Sequence, residues 1–141
     1  MRADSLHMTL LFMGDVERAH LPQLMQAAGQ VSAAPFEFVL ERFSFWPHNR
    51  IGYAAPPAEV PLLNQLVTAL QQGLAAAGFA IENCEFKPHV TLLRHLKHAL
   101  ESQAITPITW RVDSFVLVES VATDRGVRYQ ILQRWPLASC E

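Results

Sequence analysis

A five-residue pattern occurs twice in this chain: His7-Met8-Thr9-Leu10-Leu11 returns, 82 residues later, as His89-Val90-Thr91-Leu92-Leu93. With six histidines and six threonines in 141 residues, about a quarter of one His-x-Thr pair is expected by chance, so two pairs with the same trailing Leu-Leu mark an internal repeat. Each copy is followed by a helical stretch and then two strands, which predicts two similar lobes. A strand and a long helix, about residues 50 to 83, precede the second copy, whereas six residues precede His7. The first lobe is therefore expected to lack its opening strand and helix.

The rest of the pattern supplies the lobes. Leu6 to Phe12 reads as a strand closed by the turn residues Gly14-Asp15, and Ala19 to Val31 as a helix. Phe36 to Phe45 alternates in part, Pro47-His48-Asn49 turns, and Arg50 to Ala55 returns, a hairpin. Apolar residues at 60, 63, 66, 67, 70 and 74 predict a helix from Val60 to Ala77, stopped by Gly78. Phe86 to Leu93 reads as a strand and His95 to Gln103 as a short helix or loop. Thr109 to Glu119 and Val127 to Trp135 form a last strand pair. Short connections between paired strands favour antiparallel sheets in an α+β arrangement over a doubly wound parallel sheet. The chain is expected to be one domain, residues 1–141, with lobe one mainly 1–55 and lobe two mainly 56–141.

Alternate side chains along a strand face opposite ways, so His7 shares a face with Thr9, and His89 with Thr91. Two such polar faces, meeting across a cleft, would present two imidazoles and two hydroxyls to a phosphate. Opening a cyclic phosphodiester needs a base to take a proton from water and an acid to protonate the departing ribose oxygen, and histidine can serve as either. Threonine hydroxyls can donate to the non-bridging oxygens as charge grows there, with no metal required. The alternative is that each pair is a coincidence of β-propensity, which favours threonine; the duplication weighs against it.

Composition narrows the function classes. Eleven basic and thirteen acidic residues give a net charge of −2, which argues against coating long nucleic acid but leaves recognition of one end open. No apolar run is long enough for a membrane span, the N-terminus does not read as a secretory signal, and a cytoplasmic location is the default reading. Cys84 and Cys140 are too few and too far apart for a disulfide framework or metal site and are read as reduced spectators. His95 and His98 lie three apart with no carboxylate or cysteine at ligand spacing. They are read, like His20 and His48, as surface residues, and neither metal nor cofactor is expected. Trp46, Arg50 and Tyr53 of the hairpin could stack on or clamp a base, and Phe86 could wall the site; for all four, an ordinary half-buried role is the competing reading.

Three stretches carry a family resemblance: Ser-Leu-His-Met-Thr-Leu-Leu-Phe-Met-Gly-Asp-Val at 5–16, Phe-Lys-Pro-His-Val-Thr-Leu-Leu-Arg at 86–94, and Phe115, Glu119-Ser120, Gly126-Val127-Arg128-Tyr129, Leu132 and Trp135 near the C-terminus. They resemble the 2H phosphoesterases, specifically the LigT-like RNA 2′,3′-cyclic phosphodiesterases, also called 2′-5′ RNA ligases. The resemblance implies a bilobal fold, two pseudo-symmetric, mainly antiparallel sheets with outer helices around a central cleft. It implies His7 as proton donor, His89 as proton acceptor, Thr9 and Thr91 as phosphate ligands and Arg94 as a cationic phosphate or nucleotide contact. The implied substrates are RNA ends or nucleotides bearing a 2′,3′-cyclic phosphate, opened to a 2′-phosphate without metal. Relatives also carry a strand and helix ahead of the first motif, and without them an unpaired sheet edge would favour self-association. Two other functions fit the same residues: the reverse reaction, joining RNA through a 2′-5′ bond, and a non-catalytic module that binds nucleotide or RNA ends.

Overall fold

The computed structural model describes residues 3–81 and 85–138; Cys84 and Cys140 lie outside them. Its elements are β1 (Phe36–Trp46), β2 (Ile51–Ala55), β3 (Val90–Leu93), β4 (Gln103–Val112), β5 (Ser114–Thr123) and β6 (Gly126–Pro136), with helices α1 (Leu21–Gly29) and α2 (Pro61–Ala76). The class is α+β with two sheets, as expected: one of four strands in the order β3-β2-β1-β4, the other the antiparallel pair β5-β6.

Two compact units result, each drawn from three separate stretches of chain. One comprises Met1–Leu10, Glu37–Val60 and Phe86–Arg111, and the other Leu11–Phe36, Pro61–Glu85 and Val112–Glu141. Both copies of the repeated motif fall in the first unit, apart from Leu11 at the end of the first copy.

The second unit holds both helices. Leu63, Leu66, Val67, Leu70 and Leu74 are buried along one stripe of α2, the spacing read from the sequence, and each such side chain is worth roughly 1.5–3 kcal/mol of burial. Gly78 stops the helix as expected. It takes φ +97°, its N–H donates to Ala75 O at 3.0 Å and the Phe79 N–H to Leu74 O at 3.1 Å, the paired closure of a Schellman cap that a left-handed residue allows. On α1, Gly29 lies so close to Trp135 that a Cβ there would fall 2.9 Å from its Nε1, and Trp135 in turn stacks on Phe115.

In the first unit the hairpin expected at 36–55 forms, with Ser44 opposite Tyr53 and Trp46 opposite Ile51. Phe38 and Leu40 of β1 are buried, and Phe38 stacks on Trp110 of β4 at 5.5 Å. Strand β2 also pairs antiparallel with β3, Tyr53 opposite Thr91 and Ala54 opposite Val90.

Three sequence expectations are corrected. Leu6 to Phe12 is not a strand. The Leu6 N–H closes a turn on Ala3 O, and Ser5 O is taken by the His7 ring; strand character requires a ladder of inter-strand bonds, whatever the local propensity. The strand expected over 86–93 shortens to Val90–Leu93, since Pro88 has no N–H to give a ladder and Lys87 O is occupied by the His89 ring. The single strand expected over 109–119 is two, broken at Asp113, whose carbonyl accepts the Leu137 N–H at 2.8 Å. Of the two forms expected after the second motif, residues 94–102 take the loop.

Candidate active site

The two histidines of the repeat share one kind of hydrogen bond. Nδ1 of His7 lies 2.7 Å from Ser5 O, and Nδ1 of His89 lies 2.7 Å from Lys87 O. A carbonyl oxygen only accepts, so in each ring Nδ1 is the donor and carries the hydrogen. The neutral ring then has its lone pair on Nε2, and the charged ring offers a second N–H at that nitrogen. One ring atom, aimed by a backbone bond on the far side, can thus act as base or acid. Both rings are half-buried.

Around the second motif the sheet register supplies the walls. Directly paired residues share a face, which puts Thr91 with Tyr53 and Ser44, and Trp46 one alternation further along β1. Ring contacts follow: Trp46 lies 4.0 Å from Tyr53 and meets His89 edge-on at 4.6 Å, and Tyr53 meets His89 at 5.8 Å, measured between centroids. Such pairs contribute roughly 0.5–1.5 kcal/mol beyond burial, enough to favour one ring orientation. Thr91 is 8% exposed and no buried side-chain polar atom lacks a partner among the described residues.

The remaining residues singled out in the sequence are placed differently from one another. Thr9 is exposed, and Arg94 is exposed immediately after β3. Phe86 is half-buried in the segment leading to β3. Arg50 is occupied: its Nη1 donates to Leu96 O at 3.1 Å and Lys97 O at 3.3 Å, and its own carbonyl accepts the Leu96 N–H at 3.2 Å. Arg50 and His95 are the non-glycine residues with positive φ among the described residues, +55° and +57°, a conformation that costs about 1–3 kcal/mol and tends to persist at functional sites. His20, His48, His95 and His98 are exposed, as read from the sequence, although the His48 ring lies 6.1 Å from Trp46. The described residues contain no group of three or more His, Cys, Asp or Glu that could hold a metal ion, and no helix among them is long and apolar enough to cross a membrane.

Sequence reasoning did not find Ser5, Lys87, Leu96 and Lys97, because all four act through backbone carbonyls, which carry no residue signature. The recurrence of the His-to-carbonyl bond two residues back is the signal, and only coordinates display it.

The profile of the 2′-5′ RNA ligase superfamily matches residues 1–124. The chain is 34% identical to the RNA 2′,3′-cyclic phosphodiesterase of Escherichia coli K12, across 96% of this chain and 77% of that protein. It is 28% identical to the protein of the same name from Thermus thermophilus, across 94% and 72%. The crystal structure of E. coli LigT complexed with 3′-AMP matches with a TM-score of 0.86 at 30% identity, covering 98% of this chain and 80% of LigT. TT0787 of T. thermophilus matches with 0.78 at 27% identity, covering 94% and 78%. In sequence over most of its length, and in fold, the chain belongs to the 2′-5′ RNA ligase superfamily.

Proposed function

We propose that this chain is an RNA 2′,3′-cyclic phosphodiesterase that opens the terminal cyclic phosphate to a 2′-phosphate by two-histidine acid–base catalysis. The observation that carries it is the identical Nδ1-to-carbonyl bond of His7 and His89, which makes Nδ1 the protonated nitrogen and Nε2 the basic one of the neutral ring in both motifs. His89 takes a proton from water, the water oxygen attacks phosphorus in line, the bond to the ribose 3′ oxygen breaks, and His7 delivers its Nε2 proton to that oxygen. Acid and base then stand on opposite sides of one phosphorus, as in-line displacement requires. Thr9 and Thr91 donate to the non-bridging oxygens, and Arg94 neutralises their charge.

Trp46 and Tyr53 offer the surface on which the terminal base stacks, with Phe86 as a further wall. Arg50 acts on the nucleotide through the loop it holds. The chain works as one 2H phosphoesterase domain, in the cytoplasm and without a metal. Copies would self-associate through an unpaired sheet edge; the four-stranded sheet ends in β3 on one side and β4 on the other. The reverse joining reaction uses the same groups, and dilute solution favours hydrolysis. Support comes from the E. coli and T. thermophilus relatives that bear this activity's name.

The test is incubation with a 2′,3′-cyclic nucleotide and excess chelator, followed by chromatography of the product. The expected product is the 2′-phosphate, formed at a rate the chelator does not change and falling at both acid and alkaline pH. A 3′-phosphate would move the leaving-group assignment to the 2′ oxygen, and tight binding without turnover would assign the chain to the binding-module reading.

A further inference from the structure

Positive charge is concentrated in two segments. Residues 42–58 and 86–100 contain five of the eleven lysines and arginines, four of the six histidines and none of the thirteen acids, so the rest of this net-negative chain is acidic. These segments are the β1–β2 hairpin and the second motif with its following loop, and the sheet brings them together. Gly52 lies opposite Leu93. Beyond that pair, the three hydrogen bonds between Arg50 and Leu96 and Lys97 tie the hairpin turn to the loop. The Leu96 side chain also covers Gly52, 3.3 Å from where a Cβ would stand.

The left-handed residues Arg50 and His95 stand one in each segment. A surface loop with ordinary freedom would have neither strained residues nor an arginine committed to its carbonyls. Held in this way, the loop presents the exposed side chains of Arg94, His95, Lys97 and His98 on a fixed frame.

We propose that this loop is a binding site for the phosphodiester backbone of the strand that leads into the active site, with Lys97 and His98 meeting phosphates on the 5′ side of the reacting one. The inference rests on the reading of the site as one that takes RNA ends. A cyclic mononucleotide brings one phosphate, which the two motifs and Arg94 already serve. Further cations on a rigid frame gain a role only when further phosphates arrive. Three residues span at most about 10 Å, so Lys97 reaches a nucleotide or two beyond Arg94. The acidity elsewhere keeps the contact local, in keeping with binding an end and not coating a strand.

Fluorescence anisotropy with a labelled ribo-octamer ending in a 2′-phosphate, against the labelled 2′-mononucleotide, reads the site without turnover. The wild-type chain should bind the octamer at least about tenfold more tightly at low salt, since each phosphate neutralised adds about 0.7 to the slope of log K against log salt for a single strand. Lys97→Glu should lower the octamer-to-mononucleotide preference about tenfold and Lys97→Ala about threefold, the latter with a salt slope reduced by about 0.7. Equal wild-type affinity for the two ligands, or a Lys97 effect of the same size on both, overturns the inference. Length-dependent, Lys97-dependent binding by a chain that hydrolyses no cyclic end would leave the inference standing and remove the catalytic reading; hydrolysis of cyclic mononucleotides with no length preference would do the reverse.

Discussion

The two copies of the motif share a sequence and a hydrogen bond but not a setting. The second sits at the start of β3, with Thr91 buried opposite Tyr53 and the His89 ring walled by Trp46 and Tyr53. The first lies outside any strand, with Thr9 exposed, and its histidine is anchored through Ser5 O in the same geometry as its counterpart. What the two settings have in common is the i to i−2 bond, which fixes the tautomer. Proton transfer therefore depends on local backbone geometry, whereas the sheet register adds rigidity and a stacking surface at the second copy.

The largest effects should erase the copies' common feature. His7→Ala and His89→Ala are each expected to lower kcat on a cyclic nucleotide by about two to four orders of magnitude, with the double variant little worse than either, because both serve one step. A near-normal rate in either single variant would remove that histidine from the mechanism. The threonines separate the settings. Thr9→Ala and Thr91→Ala should each cost about ten- to a hundredfold in kcat/KM through a lost phosphate contact, but only Thr91→Ala should also lower stability, by about 1–2 kcal/mol in thermal unfolding. Equal unfolding temperatures would mean that the burial of Thr91 carries no weight.

A smaller effect is expected at Trp46. Trp46→Ala should lower kcat severalfold by freeing the His89 ring and raise KM by loss of the stacking surface, and Trp46→Phe should recover most of both. A change confined to KM would limit Trp46 to the base.

The sequence already displayed what depends on side-chain pattern: the 3.6-residue stripe of α2, its Gly78 stop, the hairpin of β1 and β2, and the doubled His-x-Thr. It misled where backbone pairing decides. Leu6 to Phe12 has strand composition, yet the Leu6 N–H and the Ser5 carbonyl at its start are engaged in turns. Alternating polar and apolar residues from Thr109 through Asp113 hid the division of β4 from β5. For Arg50 the sequence offers a clamp on a base, and the positions of Leu96 O and Lys97 O add that its Nη1 frames a loop.

The division of labour between the two histidines is the central claim, and a substrate with a better leaving group tests it most directly. Such a substrate no longer needs an acid to protonate the departing oxygen, but it still needs a base to activate water. Rates for His7→Ala and His89→Ala on an activated phosphodiester, each relative to wild type, should therefore show His7→Ala restored to within about tenfold while His89→Ala stays slow. Restoration of His89→Ala instead, with His7→Ala left slow, would exchange the two roles and contradict His7 as the acid and His89 as the base.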